Sequence, residues 1–171
     1  MAAAPASKKM ESLLLPHLDA AYNLARWLMR NEQDAKDVVQ ESYIRAFRFF
    51  DTWQGETDAK PWLLKIVRNG CYTSIKKSQN RQDLLEYDDE LHGEQQPGDD
   101  PETLLLNKVD QAEAKSALER LPVAFREALI LSELEGQSYK EIAEVTGVPV
   151  GTVMSRISRA RAKLKDAEDS K

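Results

Sequence analysis

The side chains with the clearest chemical pattern lie between Gln137 and Leu164, where hydroxyls and cations recur at helical spacing. Apolar residues recur there at intervals of four, three and four, which predicts an amphipathic helix. Its buried stripe consists of Val153, Ile157, Ala160 and Leu164. Its open side is predicted to consist of Thr152, Ser155, Arg156, Arg159 and Lys163. Because hydroxyl and guanidinium groups donate to base edges and phosphates, this side predicts a contact with the major groove of DNA.

Local signals on both sides of a turn predict the helices that position this surface. Ser138 followed three residues later by Glu141 is a capping-box pattern, which predicts a helix from about Tyr139. Gly147 can take the left-handed conformation that ends a helix, and Pro149 is tolerated where the next one begins. Two short helices with a basic second one predict a helix-turn-helix. The alternative is a helical hairpin with a solvated charged face, against which the turn chemistry argues.

A second polar face is predicted on a helix over residues 62–77, which Pro61 can start. The face consists of Lys65, Arg68, Asn69, Tyr72 and Lys76, opposite Leu63, Val67, Gly70 and Ser74. Cations interleaved with an aromatic ring and an amide suit single-stranded nucleic acid, in which charge tracks phosphates and rings stack on bases. Taken alone, the pattern fits equally well a solvated helix face on which Tyr72 packs against a neighbour.

Two amphipathic helices are predicted before this one, over residues 16–30 and 32–50, with Asn31 as the stop between them. The buried stripe of the second is predicted to consist of Ala35, Val38, Val39, Ser42, Ala46, Phe49 and Phe50. Its opposite face consists of Asp37, Gln40, Glu41, Ile44 and Arg48. Residues 51–60 then form a polar loop that contains Trp53.

The charge of the chain is unevenly distributed. Its 171 residues include 24 Lys and Arg against 29 Asp and Glu, a net charge of −5. Nine of the acidic residues, with no Lys or Arg, lie in residues 82–104, where Gly and Pro predict an extended acidic linker. Residues 137–165 instead carry six Lys and Arg against two Glu. The acidic average therefore does not argue against DNA binding.

Beyond the linker, helices are predicted over residues 102–120 and 123–133, followed by the helix-turn-helix. The predicted fold is all-α, with two small helical domains joined by the acidic linker. Residues 1–11 are predicted to be a flexible tail. The chain shows no run of the roughly 20 apolar residues that a membrane span needs and no secretory signal, so we expect a cytoplasmic protein without membrane insertion.

Catalytic and metal-binding functions find little support in the sequence. Cys71 is the only cysteine, which excludes an internal disulfide and a multi-cysteine zinc site. His17 and His92 are far apart in the chain. No phosphate-binding loop and no nucleophile-base pair can be recognised, so we expect no enzyme, no cofactor and no metal.

Several segments together resemble the extracytoplasmic-function (group 4) RNA polymerase sigma factors of the sigma-70 family. They are residues 34–43 (Asp-Ala-Lys-Asp-Val-Val-Gln-Glu-Ser-Tyr), Pro61-Trp62-Leu63 with Arg68-Asn69, Leu121-Pro122, residues 138–143 (Ser-Tyr-Lys-Glu-Ile-Ala) and residues 151–156 (Gly-Thr-Val-Met-Ser-Arg) with Arg159-Ala160-Arg161. The resemblance covers about residues 16–165. A helix-turn-helix alone is common, whereas these segments in this order around an acidic linker are specific.

The resemblance implies a sigma-2 domain at residues 12–81, the linker at 82–104 and a sigma-4 domain at 105–168. It implies core polymerase binding, to the clamp helices of the largest subunit and to the flap. The residues that match the core-binding helix are Asp34, Asp37, Gln40 and Glu41. It also implies that the linker runs through the RNA exit path of the polymerase.

The resemblance further implies two DNA contacts. The positions that match single-stranded −10 binding are Trp53, Lys65, Arg68, Asn69, Tyr72 and Lys76. The positions that match −35 binding are Thr152, Ser155, Arg156, Ser158, Arg159 and Lys163, with Arg161 as a backbone cation or a packing residue. Met154 departs from the family, in which a basic residue is common, and Ser158 is small, so the promoter sequence cannot be inferred.

The implied function is an alternative sigma factor that directs core polymerase to promoters and helps to melt them, held inactive by an anti-sigma factor. One alternative is a stand-alone helix-turn-helix regulator, which leaves the first domain unexplained and normally needs a dimer. Another is a sigma-like decoy that sequesters an anti-sigma protein; a decoy should lose the basic faces, and both are present here.

Overall fold

A computed structural model describes residues 4–53, 55, 58–78 and 111–169 of the chain. Within these ranges every regular element is helical, as the sequence predicts. The described residues form two compact units, the first of which extends to Lys77. The predicted linker at 82–104 and the first part of the predicted helix 102–120 lie outside the described residues. No helix in the described part is both long and apolar enough to span a membrane.

The first unit contains four α-helices and two 3-10 turns. The α-helices are α1 (Ala4–Leu14), α2 (Leu18–Met29), α3 (Glu32–Arg48) and α4 (Ala59–Ser78). The 3-10 turns are Leu15–His17 and Phe50–Thr52. Helices α2 and α3 pack against each other, and α4 approaches α3 closely at Gly70. A Cβ atom on Gly70 would lie 3.1 Å from the Ser42 hydroxyl oxygen and 3.2 Å from a Val38 methyl carbon.

Helix α1 occupies a segment for which the sequence predicted a flexible tail, residues 1–11. Leu14, at the end of α1, is fully buried, and its carbonyl accepts a 2.7 Å hydrogen bond from the Tyr43 hydroxyl of α3. This contact joins residues 29 positions apart. A local sequence pattern contains no sign of such a contact, which is why the helix was not predicted.

The buried stripe of α3 agrees with the prediction in part, since Val38 and Phe50 are only partly buried. Ala35, Val39, Ser42 and Ala46 are buried, but Phe49 is exposed and Tyr43 is buried. Phe49 follows the last residue of α3 and has a φ of −106° and a ψ of 21°, so it leaves the helical register. The i, i+7 spacing that predicted burial of Phe49 holds only while the helix continues.

The buried Tyr43 hydroxyl predicts a stability change at alkaline pH. Burial raises the pKa of Tyr43 to about 12, above the value of about 10 for an exposed phenol. The stabilisation from this group is therefore complete below about pH 10 and is lost as the pH rises towards 12. We expect Tyr43→Phe to lower the free energy of unfolding by about 1 kcal/mol at pH 8, with a smaller deficit at pH 11 to 12.

Urea unfolding followed by tryptophan fluorescence measures this deficit, since Trp27, Trp53 and Trp62 are the only tryptophans and all lie in the first unit. Both proteins are measured at each pH, so the effects of all other titrating groups cancel in the difference between their free energies of unfolding. A deficit that stayed constant from pH 8 to 12 would contradict the burial of the phenol.

The loop between α2 and α3 is closed by two adjacent residues. Arg30 takes the left-handed conformation, with a φ of 66°, and ends α2. Asn31, which the sequence predicted as the stop, is instead the N-cap of α3, and its side chain accepts a 2.9 Å hydrogen bond from the Asp34 amide. The boundary between the two helices lies where it was predicted, but Arg30 ends α2 and Asn31 begins α3.

The described part of the second unit, from residue 111 on, contains four α-helices and one π-helical turn. They are α5 (Gln111–Glu119), α6 (Val123–Leu129), the π turn (Ile130–Leu134), α7 (Tyr139–Thr146) and α8 (Val150–Asp169). Every residue of α6 is buried, and α8 packs against α6. The Arg126 guanidinium of α6 donates to the Leu121 carbonyl at 2.7 Å and to the Glu119 carbonyl at 3.2 Å. It thereby satisfies carbonyls at the end of α5 that would otherwise lack a donor.

Candidate nucleic-acid interface

The turn between α7 and α8 has the geometry that the sequence predicts. The Glu141 amide donates to the Ser138 hydroxyl at 3.1 Å, and the Ser138 amide donates to the Glu141 carboxylate at 2.8 Å. Gly147 has a φ of 76° and its amide donates to the Ala143 carbonyl at 2.8 Å. These hydrogen bonds close α7 at both ends, so α8 begins in a fixed position.

We expect Ser138→Ala to lower the stability of the second unit by about 1 kcal/mol. The Glu141 amide loses the hydroxyl that accepts its hydrogen bond, and the Glu141 carboxylate is held less firmly against the amide of residue 138. Ser138→Asn is the matched control, since asparagine is also a good N-cap. Far-UV circular dichroism during thermal unfolding measures both variants. Equal destabilisation by alanine and asparagine would show that the cap is not the cause.

The apolar stripe of α8 is buried as predicted and consists of Val153, Ile157, Ala160 and Leu164. Among the polar residues assigned to the other side, Lys163 is exposed and Thr152, Ser158 and Arg159 are partly exposed. Helix α8 therefore brings these four side chains to the accessible part of the helix-turn-helix.

Two residues that the sequence placed on the open side are buried. Arg156 is 2% exposed and Ser155 is 9% exposed. Arg156 lies only about 60° around the helix from Val153, at the border of the stripe. Charges this deeply buried occur in pairs, and α6, which packs on α8, carries the fully buried Glu127. Long helical side chains lean towards the N-terminus, so Arg159 can cover the small Ser155 one turn before it.

Arg161 is a packing residue in this structure. Its guanidinium lies 3.2 Å from the carboxylate of Glu133, and both side chains are largely buried. Because Glu133 belongs to the π turn, this ion pair ties the middle of α8 to the element that follows α6. The sequence had left open whether Arg161 packs or contacts the DNA backbone.

The polar face of α4 is present as predicted. Lys65, Asn69 and Lys76 are exposed, and Arg68 and Tyr72 are partly exposed. The Arg68 guanidinium carbon lies 3.8 Å from the centre of the Tyr72 ring. Arg68 also donates to the Asn69 side-chain oxygen at 3.2 Å. A ring held by a cation and flanked by lysines is an arrangement on which a base can stack while its phosphates are neutralised.

Trp53 lies in an aromatic cluster next to α4. Its ring centre is 5.6 Å from that of Phe50, and Phe50 is 6.4 Å from Trp62. Trp53 is partly exposed, and its indole nitrogen is buried with no hydrogen-bond partner in the described part of the chain. At the other end of the loop, the Asp58 carboxylate accepts from the Lys60 amide at 3.0 Å. The residues between these two ends are described only in part.

The polar face of α3 is fully accessible. Asp34, Asp37, Gln40 and Glu41 are all exposed. One large apolar side chain, Ile44, follows them on the same helix and is 53% exposed. A shallow depression of about 380 Å³ is lined by Asp37, Gln40, Glu41, Ile44, Arg45 and Arg48. The sequence placed Ile44 on this face and gave it no role, although an apolar residue on a polar helix face was the signal that could have identified it.

Comparisons with known proteins agree with this arrangement. The family model for sigma-70 region 2 matches residues 13–81, and the model for sigma-70 region 4 matches residues 111–164. The ECF RNA polymerase sigma factor SigE of Mycolicibacterium smegmatis is 36% identical over 157 residues, which cover 91% of this chain and 60% of that protein. The ECF RNA polymerase sigma-E factor of Haemophilus influenzae is 36% identical over 149 residues, covering 84% of this chain and 78% of that protein.

Solved structures give the same result. The sigma factor RpoE of Bartonella quintana, in complex with the anti-sigma factor NepR, is 28% identical with a TM-score of 0.72 and covers 95% of this chain and 98% of its own. CnrH, in complex with the cytosolic domain of CnrY, is 26% identical with a TM-score of 0.68, covering 96% of this chain and 90% of its own. The chain belongs to the sigma-70 family, within its extracytoplasmic-function group of RNA polymerase sigma factors.

Proposed function

We propose that this chain is an alternative sigma factor that binds bacterial core RNA polymerase, directs it to promoters through their −35 and −10 elements, and promotes melting. The observation that carries the proposal is that region 2 and region 4 occur in one chain, each with its own accessible polar surface. A stand-alone regulator would need only the second unit. The function requires binding energy alone, so we propose no catalysis.

The exposed face of α3 is our candidate for the polymerase contact. Asp34, Asp37, Gln40 and Glu41 supply carboxylates and an amide that can orient a partner helix. Ile44 supplies an exposed apolar group that lines one depression with Asp37, Gln40 and Glu41. Interfaces commonly derive most of their energy from a few central residues, while the polar rim sets register and specificity.

The face of α4 is our candidate for the −10 contact. Opening a duplex costs stacking energy, so a surface that holds the separated strand shifts the equilibrium towards the open form. Lys65, Arg68 and Lys76 can neutralise phosphates, and Tyr72 and Asn69 can stack on or hydrogen-bond with a base. Trp53 is partly exposed, and because its indole nitrogen is buried, the ring and not the N–H group is what it can offer to this strand.

Helix α8 is our candidate for the −35 contact, with a shorter set of residues than the sequence predicted. Thr152, Ser158 and Lys163 are at least partly accessible and can reach phosphates and base edges in the major groove. Arg159 is partly exposed, but two of its three guanidinium nitrogens are buried, so we assign it a phosphate contact at most. Ser155 and Arg156 are buried, so we assign their contribution to the position of α8 and not to direct base contacts.

We also propose an anti-sigma partner and a cytoplasmic site of action. The Bartonella quintana sigma factor, which shares the fold over nearly its whole length, is bound to an anti-sigma factor. A factor that redirects polymerase must be restrained when its promoters are not required, and a second protein provides that restraint. Promoter DNA and polymerase are both cytoplasmic in bacteria.

In vitro transcription tests the proposal directly. Purified core polymerase is incubated with and without the full chain on a pool of fragments from the source genome, and the start sites are sequenced. We expect transcripts that appear only with the chain and share a −35 and −10 pair upstream. Binding to core without initiation would favour a decoy, and binding to DNA without core would favour a stand-alone regulator; both results contradict the proposal.

A further inference from the structure

The second helix of the helix-turn-helix exposes two apolar side chains at its start. Met154 is 51% exposed and Val150 is 40% exposed. They are four residues apart, so they lie on one face of α8, a single turn from each other. Because the cap of α7 and the Gly147 turn fix the start of α8, this apolar pair has a defined position on the surface.

The cations of α8 are buried, held by another side chain or distant from this pair. Arg159, five residues beyond Met154, has two of its three guanidinium nitrogens buried. Arg156 is buried, and Arg161 is held by Glu133 at 3.2 Å. The exposed cations of the helix, Lys163 and Lys165, follow Met154 by more than two turns. The first two turns of α8 therefore present methyl and thioether groups to a partner, together with the partly exposed Thr152 and Ser158.

The major groove offers one apolar group, the C5 methyl of thymine, and all its other base-edge features are donors or acceptors. An apolar side chain pressed against a G·C pair would desolvate those polar groups without replacing their hydrogen bonds, which is unfavourable. Against thymine the same side chain buries a methyl group, which is favourable.

We propose that Met154 and Val150 recognise thymine methyl groups in the −35 element, so that the chain selects A·T pairs beneath the first two turns of α8. The inference rests on the proposed function, in which α8 enters the major groove of that element. It adds that base recognition beneath the first two turns depends on apolar contact with thymine.

The test replaces thymine by deoxyuridine, which differs only in lacking the methyl group. Promoter fragments found by the transcription experiment are synthesised with each −35 thymine, on either strand, replaced singly. Holoenzyme made from core polymerase and the full chain is titrated against each fragment. We expect one or two replacements to weaken binding about three- to fourfold, the factor that corresponds to one buried methyl group.

Variants assign the effect to the side chain. Met154→Ala should bind more weakly and become indifferent to the replacement at its own thymine, whereas Met154→Leu should keep the penalty because it remains apolar. Leu134→Ala removes an exposed apolar side chain elsewhere in the second unit and should leave the penalty unchanged.

Three results would overturn the inference while leaving the proposed function intact. They are a holoenzyme indifferent to every replacement, a Met154→Ala variant with the full penalty, and a −35 element without A·T pairs. If the chain supported no promoter-dependent transcripts, the proposed function itself would fail, and this inference with it.

Discussion

Ile44→Ala is expected to weaken binding to core RNA polymerase by roughly tenfold to thirtyfold without unfolding the chain. Ile44 lines the α3 depression together with Asp37, Gln40 and Glu41, so its side chain is the apolar centre of a polar surface. Truncating a central anchor of this kind costs about 1.4–2 kcal/mol, which corresponds to that loss of affinity. The side chain is 53% exposed in the structure, so its removal leaves little cavity.

Competition for core polymerase between a labelled chain and each unlabelled variant measures the affinity. Leu18→Ala is the matched control, because Leu18 is 44% exposed, belongs to the same unit and lies on α2, and it does not line the α3 depression. Asp37→Ala combined with Gln40→Ala should also weaken binding. Compared with Ile44→Ala, we expect more of this loss to come from a slower association rate and to vary with salt concentration. Equal effects of Ile44→Ala and Leu18→Ala would show that α3 is not the contact surface.

Arg156→Ala is expected to destabilise the second unit by about 3–5 kcal/mol, which is the usual cost of removing one member of a buried charged group. Arg156 is 2% exposed, and the neighbouring helix α6 carries Glu127 with no exposed surface. Removing the guanidinium leaves a cavity, and the groups that it touched lose their partner in a place that water does not reach. Loss of −35 recognition by this variant would then follow from unfolding and not from a missing base contact.

The distribution of tryptophan allows the two units to be followed separately. All three tryptophans lie in the first unit, so their fluorescence reports on that unit, while far-UV circular dichroism reports on both. We expect Arg156→Ala to lose part of its helical signal at lower urea or temperature, with the fluorescence transition unchanged. The matched control Lys163→Ala removes an exposed cation from the same helix. It should keep the wild-type unfolding curve and lower the salt dependence of DNA binding.

If Arg156→Ala instead unfolded like the wild type and lost only promoter binding, the arginine would be a base-reading residue after all. This comparison separates the two roles that helical spacing alone leaves possible. A residue at the border of an apolar stripe can turn into the core or away from it, and the elements that pack against the helix decide between the two.

The helix boundaries and the order of the two domains were predictable because their causes are local. The capping box at Ser138 and Glu141 and the left-handed glycine at Gly147 act within a few residues, and the structure has them as predicted. The apolar stripe of α8 follows from a period of 3.6 residues, and its members are buried. The same helical period places polar residues of α3 and α4 opposite their apolar stripes, and these polar faces are accessible.

The sequence by itself determined that this chain is all-helical, that it has two domains in the sigma-70 order, and roughly which side of each helix is apolar. Only the tertiary structure decided that α1 is anchored through Leu14 and Tyr43, that Arg156 is buried, and that Val150 and Met154 are exposed. These outcomes depend on helices that are distant in sequence. Helical periodicity sets the direction of a side chain from its own axis, whereas burial depends on what the rest of the fold places against it.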